Sequence, residues 1–250
     1  MVKKRKHNGD DDDCMAEDIT TIWYRRSILF DLPYWKEHDV RHNLDVMHSE
    51  KNFTDHLLST ILDIKDKTKD GTNARKDMEV MRIKQKLWLT TDESSGKTIK
   101  PPAAFTLSKE EKQWFFRTLK ELKLPRGFSS NLSKNVSLQP LGLKGLKSHD
   151  HHVIMQHLLQ LLLKNAYSKY KDLLVAIQQI SLFFNVLCAK VIRRDVLDLA
   201  KKTLFEAVCV LEKYFPPSFF VITIHLIVHL AEEALICGPV RYRWMYPFER

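Results

Sequence analysis

The stretch RHNLDVMHSEKN, residues 41–52, gathers Arg41, His42, Asp45, His48 and Glu50 around a small apolar group. Asp45 and His48 stand three positions apart. A carboxylate there can bind a divalent metal, with the imidazole orienting the metal or a substrate. The same aspartate, placed just before an apolar helix, is also a good N-cap. Both readings are open. Glu50 and Asp55 read as solvated residues of the helix that follows.

A second constellation is made of histidines. His149 and His152 precede or open one helix, and His225 and His229 lie within another. The i,i+4 spacing puts His225 and His229 on one face, about one turn apart. Four imidazoles, or three with Asp150 as the fourth ligand, could bind a structural Zn²⁺ that pins the two helices together. The alternative is two partly buried, hydrogen-bonded pairs, because ligand histidines also need outer-shell support.

These groups must be held by a chain of 250 residues that is 44% hydrophobic and 28% charged, with seven glycines. That is enough for one large domain, or a domain with an appendage. Cys14, Cys188, Cys209 and Cys237 are scattered without a Cys-x-x-Cys pair, which argues against a disulfide framework and a thiolate zinc finger and for reduced thiols. The start, MVKKRKHNGDDDD, has no signal-peptide pattern. The most apolar run, FFVITIHLIVHLAEEALI (219–236), contains two His and two Glu and reads as a buried helix, with no membrane partner expected.

Residues 1–20 join the basic cluster Lys3-Lys4-Arg5-Lys6 to the acidic run Asp10 to Asp13 and read as a disordered charged tail. The basic cluster also fits nuclear import; a solvated tail of a cytoplasmic protein is the other reading. Residues 22–35 are rich in aromatic and β-branched types, which predicts a short strand ending near Pro33. A helix is expected from about Ser49 to Leu62, with Phe53, Leu57, Leu58 and Ile61 apolar, and another near 73–88. Ser108 and Glu111 form a capping box for a third. Residues 125–148 read as a connector. Helices follow near 149–164, 171–191, 194–214 and 217–236, with Pro216-Pro217 starting the last and Gly238-Pro239 ending it. No internal repeat is visible.

The net charge of +9 favours an anionic partner. Arg25-Arg26, Lys144, Lys147, Arg193, Arg194, Lys201, Lys202, Arg241 and Arg243 are candidates for a DNA-facing surface. Each taken alone is as well explained by a solvated face.

Several strings are too specific for composition to explain: SILFDLPYWKEHDVRHNLDVMHSEKN (27–52), GLKSHDHHVIMQHLL (145–159) and LEKYFPPSFFVITIHLIVHLAEEALICGPVRYRWMYPFER (211–250), together with KTKDGTNARKDM and PPAAFTLSKEEKQWF. Over about residues 21–250 the chain resembles plant En/Spm (CACTA-type) transposases. From about residue 140 onward it is similar to the transposon-associated domain of unknown function 4218.

The resemblance implies a mainly α chain, with a helical bundle of the insertion type attached to a fragment of an RNase H-like α/β core. Residues 21–62 would be the core fragment, 63–139 a helical and loop connector, and 140–250 the helical domain. Its activity would be phosphoryl transfer with Mg²⁺ held by carboxylates. Asp45 and His48 then resemble the second acidic position, and Glu249, in WMYPFER, the third; the alternative for Glu249 is a plain terminal residue.

An acidic-triad core also needs a first aspartate well upstream, and Asp31 and Asp39 stand too close to Asp45 to supply it. The helix that Glu249 would begin has no length in this sequence. The expectation is therefore a truncated, transposon-derived protein without independent transposase or nuclease activity, and with no cofactor requirement of its own. The alternative is a nuclear DNA- or protein-binding module derived from a transposase. DNA and other transposase chains are the expected partners.

Overall fold

The computed structural model describes residues 26–41, 43–93, 96–125, 127–128 and 131–248. The basic cluster at residues 3–6, the acidic run at 10–13, Cys14, Arg25, His42 and Glu249 lie outside the described residues. The chain divides into two units, residues 1–41 and 42–250.

In the first unit the expected strand gives way to 3₁₀ turns at Ile28–Asp31 and Trp35–Glu37. Ser27 caps the first by accepting the Leu29 N–H. Arg41 closes the second by donating to the carbonyls of Trp35 and Lys36 at 3.0 and 2.9 Å. Leu29, Leu32 and Tyr34 are exposed. Aromatic and β-branched composition favours a strand only where a neighbouring strand completes the ladder, and local capping prevails here.

The second unit is mainly helical. Its helices are α1 (Val46–Ile61), α2 (Thr72–Val80), α3 (Lys109–Glu121), α4 (Ser148–Val153), α5 (Leu159–Leu163), α6 (Lys171–Leu187), α7 (Arg194–Tyr214) and α8 (Ile222–Cys237). A π-helical segment, Ile154–Leu158, joins α4 to α5. Two small antiparallel hairpins complete it: β1 (Thr90–Thr91) with β2 (Thr98–Ile99), and β3 (Val136–Leu138) with β4 (Leu141–Leu143).

Local sequence explains most boundaries. Ser108 accepts the Glu111 N–H at 3.2 Å while Glu111 accepts the Ser108 N–H at 2.7 Å, the reciprocal pair expected at the start of α3. α7 ends at Tyr214 because Phe215 precedes a proline and is extended. α8 ends at Gly238, whose φ of +77° suits glycine, and Pro239 follows. Pro217 opens a 3₁₀ turn, Pro217–Phe219, rather than α8 itself, which starts at Ile222. The helix expected over 73–88 stops at Val80, with Arg82 and Lys84 at positive φ. α6 stops at Leu187, with Cys188 as its buried C-cap, and Val191 beyond it is exposed.

The core is continuous from α1 to α8. Phe53, Phe105, Phe115, Phe183, Phe184, Phe215 and Phe219 are all fully buried. α6 and α7 make the most extensive helix pair, and α1 packs on α4 and α8. Phe105 stacks on Phe215, with centroids 4.5 Å apart. The buried Tyr167 hydroxyl donates to the Phe105 carbonyl at 2.6 Å, satisfying the one polar atom that its ring carries into the core. Arg75 is also fully buried. It forms a two-point ion pair with Asp70 and donates to the Leu87 carbonyl at 2.6 Å. This pairing fixes the loops on either side of α2, since a buried guanidinium is tolerated only when its donors are met.

Candidate functional site

Glu50 lies on α1, four residues after Val46 and three before Phe53, on the face that packs inward. It is 1% exposed, so the expectation of a solvated residue is overturned. Its two oxygens are divided. Oε2 lies 2.7 Å from Nδ1 of His152 on α4, and Oε1 accepts from Nε2 of Gln156 at 2.8 Å. Gln156 belongs to the π-helical segment, whose widened turn aims the amide at the carboxylate. Such insertions recur at functional sites. Ser181 of α6 donates to the carbonyl of Met155 at 2.7 Å and fixes this segment against the neighbouring helix.

Cys188, at the C-terminal end of α6, completes the cluster. One ligand atom each from Glu50, His152 and Cys188 lies within 4.8 Å of the other two. Burial pushes the Cys188 thiol well above its ordinary pKa, and the Glu50 charge adds to this. Trp244 and Tyr246 stand edge-on to the His152 ring, with centroids 6.4 and 5.7 Å away. Nearby, burial lowers the His157 pKa, and the charge of His152 lowers it further.

Asp45 is the N-cap of α1. Its Oδ1 accepts the Met47 N–H at 3.1 Å and its Oδ2 the His48 N–H at 3.4 Å, while Nδ1 of His48 pairs with Oδ2. Both carboxylate oxygens are therefore engaged by the first turn of α1. Of the two readings of this aspartate, the capping one is realised in the geometry.

The histidine set expected to hold zinc is not assembled. Among the described residues, no three ligand atoms from His149, His152, His225, His229 and Asp150 come within 4.8 Å of one another. His225 and His229 are exposed on α8 and approach each other, Nε2 to Nε2, at 3.0 Å. His149 stacks on His152 with centroids 5.7 Å apart and reaches the Phe128 carbonyl at 3.0 Å. Asp150 accepts the Lys147 N–H at 2.9 Å at the start of α4. His152 is drawn instead to Glu50, because a buried carboxylate must be paired.

The three-ligand group among the described residues offers one carboxylate beside a thiol and an imidazole, whereas Mg²⁺ takes oxygen donors.

The basic candidates are dispersed. Arg193 pairs with Asp195, and Lys201 with Glu232 at 2.6 Å. Arg241 lies over Trp244 at 5.3 Å. Arg243 donates to Asn43 at 3.3 Å and lies 3.9 Å from Glu233. Arg194 and Lys202 are exposed and make no ion pair among the described residues. A groove elsewhere is lined by Lys84, Lys86, Tyr170, Lys213 and Tyr214. Sequence reasoning did not single out this groove.

Residues 187–250 match the family model described as a domain of unknown function, DUF4218. The chain carries a DUF4218 domain. No curated protein and no solved structure matches the chain. The domain so defined contains Cys188, α7, α8 and the Trp244 and Tyr246 rings over His152, so the buried cluster joins it to α1 and α4. No helix among the described residues is long and apolar enough to cross a membrane.

Proposed function

We propose that this DUF4218 protein is a transposase-derived, helical binding module that acts on DNA in the nucleus without cutting it. The observation that carries the reading is the engagement of Asp45. Its carboxylate closes the first turn of α1 and is paired with His48, which supports a capping role over a metal-binding one. Lineage from a transposase is supported by the resemblance carried by the long strings at 27–52, 145–159 and 211–250. DNA as partner is supported by the net charge of +9 and by the groove lined by Tyr170 and Lys86, beside which Lys213 and Tyr214 are held by Asp172, and Lys84 by the Glu212 and Phe215 carbonyls. Cations beside aromatic rings suit a phosphate backbone and stacked bases.

Two assays on the purified full chain test this. Binding to duplex and single-stranded DNA is measured across a salt series. Binding that weakens with salt is expected, with a slope that falls by about one for each phosphate contact removed by Lys86→Ala, Arg194→Ala or Lys202→Ala. No binding even at low salt would remove DNA as the partner and leave other transposase chains. In the second assay, the chain is incubated with DNA and Mg²⁺ or Mn²⁺. Cleavage that disappears in Asp45→Ala would show that the carboxylate is catalytic after all.

A further inference from the structure

The buried trio suits a metal other than that of the proposed ancestry. We propose that Glu50, His152 and Cys188 form a mononuclear Zn²⁺ site that fastens α1, α4 and the C-terminal end of α6 to one another. The inference is independent of whether the chain binds DNA.

Four observations support it. The donors come from three elements far apart in sequence, yet their ligand atoms already lie within 4.8 Å of one another. Tetrahedral Zn²⁺, with bonds of about 2.0–2.3 Å, sets ligand atoms roughly 3.3–3.8 Å apart, so Glu50 Oε2 and His152 Nδ1 must part slightly from 2.7 Å to admit the ion. A thiolate with an imidazole favours zinc over hard cations. Charge balances too: a dication, a carboxylate and a thiolate around a neutral imidazole sum to zero, and a neutral group is the kind that burial tolerates. Finally, the outer shell is in place. Gln156 donates to Glu50 Oε1 at 2.8 Å and leaves Oε2, the oxygen beside His152, to face the metal.

On binding, the Cys188 S–H bond breaks, its proton goes to solvent and the sulfur forms the Zn–S bond. The hydrogen bond between His152 Nδ1 and Glu50 Oε2 breaks as well: the proton leaves Nδ1, neutral His152 keeps its proton on Nε2, and the freed Nδ1 lone pair forms the Zn–N bond. No electron is transferred. Gln156, 3.1 Å from Nδ1, borders the fourth position. Without the metal, burial holds the thiol neutral; a coordinated cation reverses that preference.

The test uses the full chain without a histidine tag, loaded with Co²⁺ as a spectroscopic stand-in for Zn²⁺. A thiolate-to-cobalt charge-transfer band and tetrahedral d–d bands are expected, displaced by one equivalent of Zn²⁺. The band should persist in the Cys14→Ser/Cys209→Ser/Cys237→Ser triple variant, which keeps Cys188, and vanish in Cys188→Ser. In the parent chain the melting temperature should rise with free Zn²⁺. Absence of the band in the parent or in the triple variant would overturn the proposal, and so would a band retained in Cys188→Ser. Should Cys188→Ser fail to fold by circular dichroism, the triple variant alone decides.

Discussion

Glu50 Oε2 stands 2.7 Å from His152 Nδ1 across 102 residues of sequence, and the carboxylate is 1% exposed. The pair joins α1 to α4 within the core. Removing one partner strands the other in a low-dielectric site, which costs about 3–5 kcal/mol. Glu50→Ala and His152→Ala should each destabilise the fold by an amount of that order in urea unfolding. The double variant should cost less than the sum, because each single variant already forfeits the pairing. Additivity to within about 0.5 kcal/mol would mean that the two side chains act independently.

Asp45 provides a second, smaller test on the same helix. Replacing an N-cap aspartate by alanine leaves backbone donors of the first turn unmet, for about 0.5–2 kcal/mol. Asp45→Ala should lower stability by about 1 kcal/mol, while Asp45→Ser or Asp45→Asn should restore most of it, since each returns a capping oxygen. A stability unaffected by alanine would show that the cap is not formed in solution.

What the sequence disclosed and what it hid follow from how local each signal is. The capping box at Ser108 and Glu111 needs four consecutive residues, and it is found as read. α7 spans Arg194–Tyr214 because an apolar stripe and a following proline are both local facts. Glu50 was legible in part: it shares the Val46, Phe53 and Leu57 face, and that periodicity pointed inward although the residue type pointed outward. Cys188 and Gln156 could not be read in advance. Nothing near Cys188 in sequence marks it as a neighbour of residues 50 and 152, and the π-helical turn that presents Gln156 has no compositional signature. The four histidines show the limit of spacing from the other side: regular spacing within a helix says nothing about what lies across from it.

His151 makes a prediction about acid. It is 4% exposed on α4, and its Nδ1 has no hydrogen-bond partner among the described residues. Burial lowers its pKa below the ordinary 6.5; Lys51 and Lys67 act in the same direction, and Asp55 and Asp150 against it. The unfolded chain therefore takes up this proton first as pH falls. Stability is full above 6.5 and declines as pH drops below it, until the folded-state pKa is reached. Burial lowers His56 and His157 in the same sense. Unfolding measured from neutral to mildly acidic pH should show this decline, and His151→Leu should flatten it. An unchanged slope in that variant would place the proton uptake on other groups.

Asp172 predicts a different window. It sits in the first turn of α6, where Nζ of Lys213 donates to Oδ2 at 2.8 Å and the Tyr214 hydroxyl to Oδ1 at 2.7 Å. These contacts tie the start of α6 to the end of α7. The hydrogen bond from Lys213, then that from Tyr214, lowers the carboxyl pKa from 3.8 to about 2. A carboxylate with a depressed folded-state pKa stabilises above its unfolded value, and the contribution disappears as pH falls through the folded one. The side chains remain solvated, 65% exposed for Lys213 and 43% for Asp172, so screening holds the contribution to no more than about 1 kcal/mol. Asp172→Asn should therefore be slightly less stable than the parent at neutral pH. The difference should shrink in high salt and close between 3.8 and about 2. A gap of constant size across that range would assign the effect to packing rather than to charge.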